Sequence, residues 1–297
     1  MVTRPLFSDL YGPGLRDVIF ESYSYAPEQY SQFLNVLSTD VQYLDDYYMG
    51  GFGAVPTKAE GASIVYDDPV PGGQVRFQWT GYGKGFRVTH EAQEDERYGQ
   101  MRKMAAAMGR AFRNQTEIIG ASILNNAFAS GFSGFDGVAM CDLSHPLLRG
   151  GTSRNEPSTP VDLSVSALQD AMVDFHRFVD ESGVPILVQP KFLVIAPENL
   201  PLAQEILGSV QKPFTSDNEK NILQGWLTPI VSHYMTDTDA WFILGDKSDH
   251  DMQFFWREKF TTDMDDDFDS GDGKMKGYMR CGIGYGDWRG TWGSPGV

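Results

Sequence analysis

The sequence predicts an α+β fold in which an arm, a long β-hairpin, one long helix, a compact α/β unit and closing strands follow one another. Three observations carry this. Apolar residues alternate with polar ones up to Val88 and then switch to spacings of three and four. The helical spacing persists from His90 to Phe128, longer than an ordinary globular helix. Beyond a Gly- and Ser-rich stretch, short helices and strands then take turns.

Residues 1–49 are rich in Tyr, Asp, Gly and Pro, and only "ESYSYAPEQYSQFLNVLS" shows a short helical pattern, so an extended arm is expected. From residue 50 to 88 a hairpin is expected. "GASIVY" leads into the turn "DDPVPGG", and "QVRFQWTGYGKGFRV" returns with Val75, Phe77 and Trp79 alternating against Gln74, Arg76, Gln78 and Thr80. Such a strand has one apolar face, and a two-stranded hairpin rarely covers its own. Met101, Met104, Met108, Phe112, Ile119, Ile123 and Ala127 then mark one face of a helix that would be about 57 Å long at 1.5 Å per residue. Thr89 is placed as its N-cap, and Glu91, Glu94, Asp95 and Glu96 oppose the positive end of its dipole.

The segment "ASGFSGFDGVAMCDLSHPLLRGGTSRNEPSTP" reads as loop. In "SVSALQDAMVDFHRFVDESG" a helix is expected from near Ser164 to Gly183, with Leu168, Met172, Phe175 and Val179 on one face. "KFLVIA" is a buried strand, "ENLPLAQEILGS" a short helix, and "TPIVSHYM" and "AWFILG" are strands joined by "TDTD". After Gly245 the chain reads as β again, in "DMQFFWREKF" and "GYMRCGIGYGDWRG", with the acidic loop "DMDDDFDSGDGK" between them.

Composition excludes several classes. A net charge of -16, from 24 Lys and Arg against 40 Asp and Glu, opposes direct binding of nucleic acid, which requires clustered cations. Cys141 and Cys281 match no metal or redox spacing and suit a reducing compartment. No run approaches the roughly 20 apolar residues of a membrane span, so a soluble protein without a membrane partner is expected.

The motifs favour structure over chemistry. His90 to Glu94 falls one imidazole short of the zinc-protease signature and reads as an acidic helix start. Asp263, Asp265, Asp266, Asp267, Asp269 and Asp272 resemble a calcium loop, but Phe268 stands where that loop needs Gly and Lys274 where it needs Glu. Asp263, Asp265, Asp267 and Asp269 remain candidates for a looser cation site; no resident metal or cofactor is expected. "GYGKG" and "GIGYGDWRG" lie in strand patterns, where Gly marks bulges or close backbone approach. Beside Tyr285, Trp288 and Trp292 they suggest chains packing edge to edge. No serine sits in a nucleophile elbow. His233 and His250 could approach Asp237, Asp239 or Asp249 as an acid-base pair, and no other catalytic residue is proposed.

An arm, a hairpin with a bare apolar face and a helix longer than one globule all lack cover, and other copies of the chain are the economical source. The candidate subunit-interface residues are Val75, Phe77, Trp79, Tyr82 and Phe86 of the hairpin, with Tyr285, Trp288 and Trp292. The order of elements, together with "GYGKGFRVTHEAQEDERYG" to "ASILNNAF", "PKFLVIAPENLPLAQEIL", "NEKNIL" and "AWFILGDKSDHDMQFFWREKF", resembles the major capsid proteins of tailed bacteriophages, the Hong Kong 97 type of fold. The resemblance implies an N-terminal arm (1–49), an extended loop lying over a neighbour (50–88), a peripheral domain with the spine helix (89–160), an axial domain (161–245) and peripheral return strands (246–297). It implies pentamers and hexamers in an icosahedral shell around double-stranded DNA held without sequence-specific binding. A portal and, since no long helical segment precedes the arm, a separate scaffolding protein are expected as partners, with assembly in a bacterial cytoplasm. Lys58 and Lys84 resemble the cross-linking lysines of some such shells, but a placed Asn and acid are also needed, and no cross-link is expected. Two alternatives stay open: an encapsulin-like compartment and a soluble α/β enzyme using His233 or His250.

Overall fold

The computed structural model describes residues 12–95, 98–211, 213 and 220–297. Residues 1–11 of the expected arm, Glu96 of the acidic helix start and the first part of "NEKNIL" lie outside these.

The arm is partly helical, contrary to expectation. α1 (Gly12–Ser24) buries Leu15 and Ile19 against the long helix α4 (Tyr98–Asn125). The contact is close because α4 carries Gly109: a Cβ there would stand 2.3 Å from the Ile19 carbonyl oxygen. The arm continues through α2 (Tyr30–Phe33), β1 (Asn35–Ser38) and β2 (Tyr43–Met49).

The expected hairpin is corrected in its pairing. "GASIVY" forms no strand. The returning half splits at Trp79 into β3 (Pro71–Gln78) and β4 (Thr80–Val88), and each pairs elsewhere: β3 with β2 of the arm, β4 with a strand near the C-terminus. The long helix is also shorter than expected. It comprises α3 (His90–Glu94) and then α4, whose 28 residues span about 42 Å. Thr89 holds the N-cap position, but its side chain makes no capping bond. The Asp272 carboxylate accepts from the His90 amide instead, at 3.3 Å. Met104, expected on the core face, is exposed, while Met101, Met108, Phe112, Ile119 and Ile123 are buried.

Two short strands, β5 (His145–Pro146) and β6 (Thr152–Ser153), punctuate the connecting loop. α5 (Val165–Phe175) is capped as expected, with Ser164 Oγ accepting from the Ala167 amide at 3.1 Å. It ends at His176 rather than Gly183; Gly183, at φ 77°, serves the tight turn from Asp180 to Val184. β7 (Phe192–Ile195), α6 (Leu200–Gly208), β8 (Thr228–Val231) and β9 (Trp241–Leu244) follow. The chain closes with β10 (Met252–Asp266), β11 (Gly273–Tyr285) and β12 (Thr291–Ser294).

One sheet has the order β1-β10-β11-β4, antiparallel except for the parallel β1-β10 pair. The other has the order β12-β9-β7-β8 with β7 and β8 parallel. β12 therefore belongs to the α/β unit and not with the other return strands. Within that second sheet, Leu193, Ile195, Trp241 and Ile243 face α5 and α6, whereas Val194, Phe242 and Leu244 join the core of α4, β10 and β11. Burial on both faces explains why "KFLVIA" and "AWFILG" read as unbroken apolar runs.

Candidate assembly surfaces

The structure covers most of the predicted interface residues from within the chain. Phe77 and Trp79 are buried on Phe255 of β10, with ring centroids 5.1 and 4.8 Å apart, and Val75 packs beside them. The seat exists because β11 has glycines opposite: a Cβ on Gly284 would lie 2.3 Å from Phe77, and one on Gly282 would lie 2.9 Å from Trp79. The glycine-rich strand thus does mark close approach, but to an element of its own chain. Tyr285, Trp288 and Trp292 are also core residues. Tyr285 donates its hydroxyl to the Phe132 carbonyl at 2.9 Å, and Trp292 packs at a tilt against Trp241, with ring centroids 4.9 Å apart. Tyr82 and Phe86 are half-buried on the outer strand of the first sheet, packed against the main core.

A run of apolar side chains without cover lies in the segment the sequence read as the outgoing strand. Residues 51–70 leave the body between β2 and β3 as a loop with a fixed neck. Gly50 N donates to Val70 O at 2.9 Å. Asp67 accepts from the Gly53 amide at 3.2 Å and from Arg149 Nη2 at 2.9 Å, and these bonds hold its carboxyl below the ordinary range. The Arg149 amide in turn donates to the Glu181 carbonyl. Glu181 pairs with the buried Arg289 at 2.9 Å and accepts from the Leu148 amide at 2.7 Å. Beyond this neck, Phe52, Val55, Ile64, Val65 and Tyr66 stand in solvent; Val55 is 93% and Tyr66 91% exposed. Exposed apolar side chains on a loop with an anchored base make this loop the candidate contact surface.

The predicted chemical sites do not assemble. Asp263 faces Lys276 and Asp265 faces Lys274 across the β10-β11 ladder, Asp267 pairs with Lys274, and Asp272 caps α3. Asp263 and Asp265 lie on β10, and Asp267, Asp269 and Asp272 in the turn that follows it. Among the described residues, no group of three or more His, Cys, Asp or Glu is placed to hold a metal ion. His233 accepts from the Gln29 side-chain amide at Nδ1 (2.8 Å), and His250 Nδ1 accepts from the Met252 amide (3.3 Å). Neither hydrogen-bonds Asp237, Asp239 or Asp249, so the acid-base pair is not formed. The Glu94 side chain lies outside the described residues. No described helix is long and apolar enough to cross a membrane.

Two buried polar clusters escaped the sequence reading, and both fasten long-range contacts. Glu117 of α4 accepts from the amides of Gln29 (3.1 Å) and Tyr30 (3.0 Å), and Arg113 bridges it to Glu28, so the arm is pinned to the long helix. Burial raises the Glu117 carboxyl despite these donors. His145 is fully buried between Asp136 (2.6 Å) and Asn155 (2.9 Å) and stacks on Trp288. Asn155 donates to the Met140 and Thr291 carbonyls and accepts from the Asp142 amide, tying the connecting loop to β12. For the second cluster the sequence signal was a pair of polar residues, His145 and Asn155, inside a loop rich in glycine.

A family model described as phage capsid protein matches residues 74–293. No curated protein matches the chain. Among solved structures, the mature capsid of bacteriophage PhiM1 is similar over 90% of this chain and 86% of that one, at 10% identity and a TM-score of 0.60. The procapsid of bacteriophage JBD30 covers 98% of this chain and 76% of its own, at 14% identity and 0.51. A virus-like particle from Pyrococcus furiosus covers 95% and 98%, at 11% identity and 0.53. At such identities these structures speak to the fold.

Proposed function

The chain belongs to the phage capsid protein family and has the Hong Kong 97 type of capsid fold, and from that premise we propose how it builds a shell. It is a structural major capsid protein whose place is the virion capsid, and it self-assembles into capsid oligomers. The finer reading is that pentamers and hexamers close an icosahedral shell around double-stranded DNA. The loop of residues 51–70 lies over a neighbouring subunit, the sheet of β1, β10, β11 and β4 with α4 forms the peripheral part, and the sheet of β12, β9, β7 and β8 with α5 and α6 forms the axial part.

The observation that carries this reading is the exposed loop on an anchored neck. Each fully covered Ile, Val or Phe side chain would contribute about 1.5–3 kcal/mol, offset by the cost of ordering the loop. Contacts of this size, repeated around every capsomer, add up through multivalency. A net charge of -16 suits a wall that encloses DNA without gripping it. Loop contacts define neighbours but leave the number of copies open, which is the role we assign to a separate scaffolding protein, with a portal at one vertex. The family match favours this over a cargo-holding compartment, and the dispersed histidines favour it over an enzyme.

Negative-stain electron microscopy with light scattering tests the reading, on the chain expressed alone and with its genomic neighbours. Hollow polyhedra, tubes, or rings of five or six are expected. A monodisperse monomer or dimer in both cases would contradict it.

A further inference from the structure

The exposed loop contains a strand without a partner, and the body contains an edge without a strand. Ala62-Ser63-Ile64-Val65-Tyr66 is β-branched and aromatic, the composition that favours strands. All five residues are nevertheless exposed, and among the described residues Ser63 to Tyr66 make no backbone hydrogen bond to the rest of the chain. Among the described residues, β4 pairs as a strand with β11 alone, and it ends the order of its sheet. Alternate residues of β4 therefore direct their N–H and C=O groups away from the ladder. Thr80, Gly81, Gly83, Lys84, Gly85 and Arg87 along it are exposed. Next to this edge a groove of about 500 Å³ opens between Gly81–Lys84 and the α4 residues Ala111, Phe112 and Gln115.

Resting on the shell reading above, we propose that residues 62–66 of one copy add as a strand to the free edge of β4 of a neighbouring copy. Three features fit the two pieces. In an added strand Ile64 and Tyr66 share one face, so both can enter the groove beside Tyr82 and Phe112 while Val65 and Ser63 face outward. The glycines at 81, 83 and 85 leave the edge without side chains that would hold an incoming backbone off. The charges are complementary: β4 carries Lys84 and no carboxylate, in a chain of net charge -16, whereas the segment is flanked by Glu60 and Asp68. Residues 62–66 do not fill the edge of their own chain, since all five remain exposed. Loop to edge is a head-to-tail contact, which propagates around a ring.

Hydrogen exchange of wild-type assembled particles against the unassembled chain reads this directly. The amides of Ile64–Tyr66 and alternate amides of Thr80–Arg87 should exchange about 100-fold more slowly in particles. In parallel, Val65→Cys is combined with Gly83→Cys on the outward face, and Ile64→Cys with Tyr82→Cys or with Lys84→Cys on the groove face, since opposed residues on one face of a ladder lie within disulfide reach. Under mild oxidation one of the three pairs should link subunits into a covalent ladder in particles and in no unassembled sample. Particles that form with neither protection nor a link overturn strand addition and leave the shell reading intact. A wild-type chain that never assembles overturns the shell reading, and strand addition with it.

Discussion

Asn155 and His145 show how much a single buried polar residue can hold. Replacing Asn155 by Ala strands two carbonyls, the Asp142 amide and one nitrogen of His145, all away from water. A loss of about 3 kcal/mol is expected, read as a lower denaturation midpoint with an unchanged slope. His250 carries a pH prediction. Burial lowers its pKa from the ordinary 6.5 to about 4, so the folded chain favours the neutral ring. Its contribution is complete above pH 6.5 and is lost as pH falls toward 4, amounting to about 3 kcal/mol. The raised carboxyls of Glu117, Glu156 and Asp251 act in the opposite sense, gaining stability as pH falls. The test is therefore a difference: His250→Asn, which keeps an acceptor for the Met252 amide, should lose less stability than wild type between pH 6.5 and 4. Equal losses would contradict the assignment.

Among the elements, the ribbon of β2 and β3 depends on a small core. Phe77 and Trp79 rest on Phe255, and among the described residues β3 pairs as a strand with β2 alone, where Arg76 bonds Asp45 at 2.6 and 2.8 Å. Phe255→Ala should cost about 3–5 kcal/mol. Amide exchange of Val75–Gln78 should then quicken ahead of global unfolding; uniform quickening throughout the chain would contradict a separate fastening. This element also shows what the sequence could and could not say. Period-two alternation identified Val75, Phe77 and Trp79 as one apolar face in need of cover, and Phe255 covers it within the chain. It could not name the partner, because Phe255 lies far along the chain and pairing is decided by long-range packing. The split at Trp79 and the end of α5 at His176 escaped for the same kind of reason: tertiary contacts, rather than local propensity, stop these elements. The strands of the second sheet were legible because burial on both faces leaves an unbroken apolar run.

For the whole molecule, the reasoning that apolar surface must find cover was sound, but much of the surface it named is covered internally. The candidate interface residues Phe77, Trp79, Tyr285, Trp288 and Trp292 are buried within the chain, because alternation cannot tell a neighbouring chain from a distant part of the same one. The order of the elements was more informative than any motif, since it reflects how the chain is wound. Exposure moves the assembly surface to the loop, and this predicts a separation of folding from assembly. Replacing residues 54–66 by a short Gly-Ser bridge removes no core side chain, so the melting temperature should stay within about 2 °C of wild type. Particles should nevertheless be lost.

A cryo-electron microscopy reconstruction of the assembled wild-type particle tests the central claim most directly. In every capsomer, Phe52, Val55 and Ile64–Tyr66 should lie against an adjacent subunit and be withdrawn from solvent. A closed shell in which that loop projects free, its apolar side chains as bare as in the isolated chain, would contradict it.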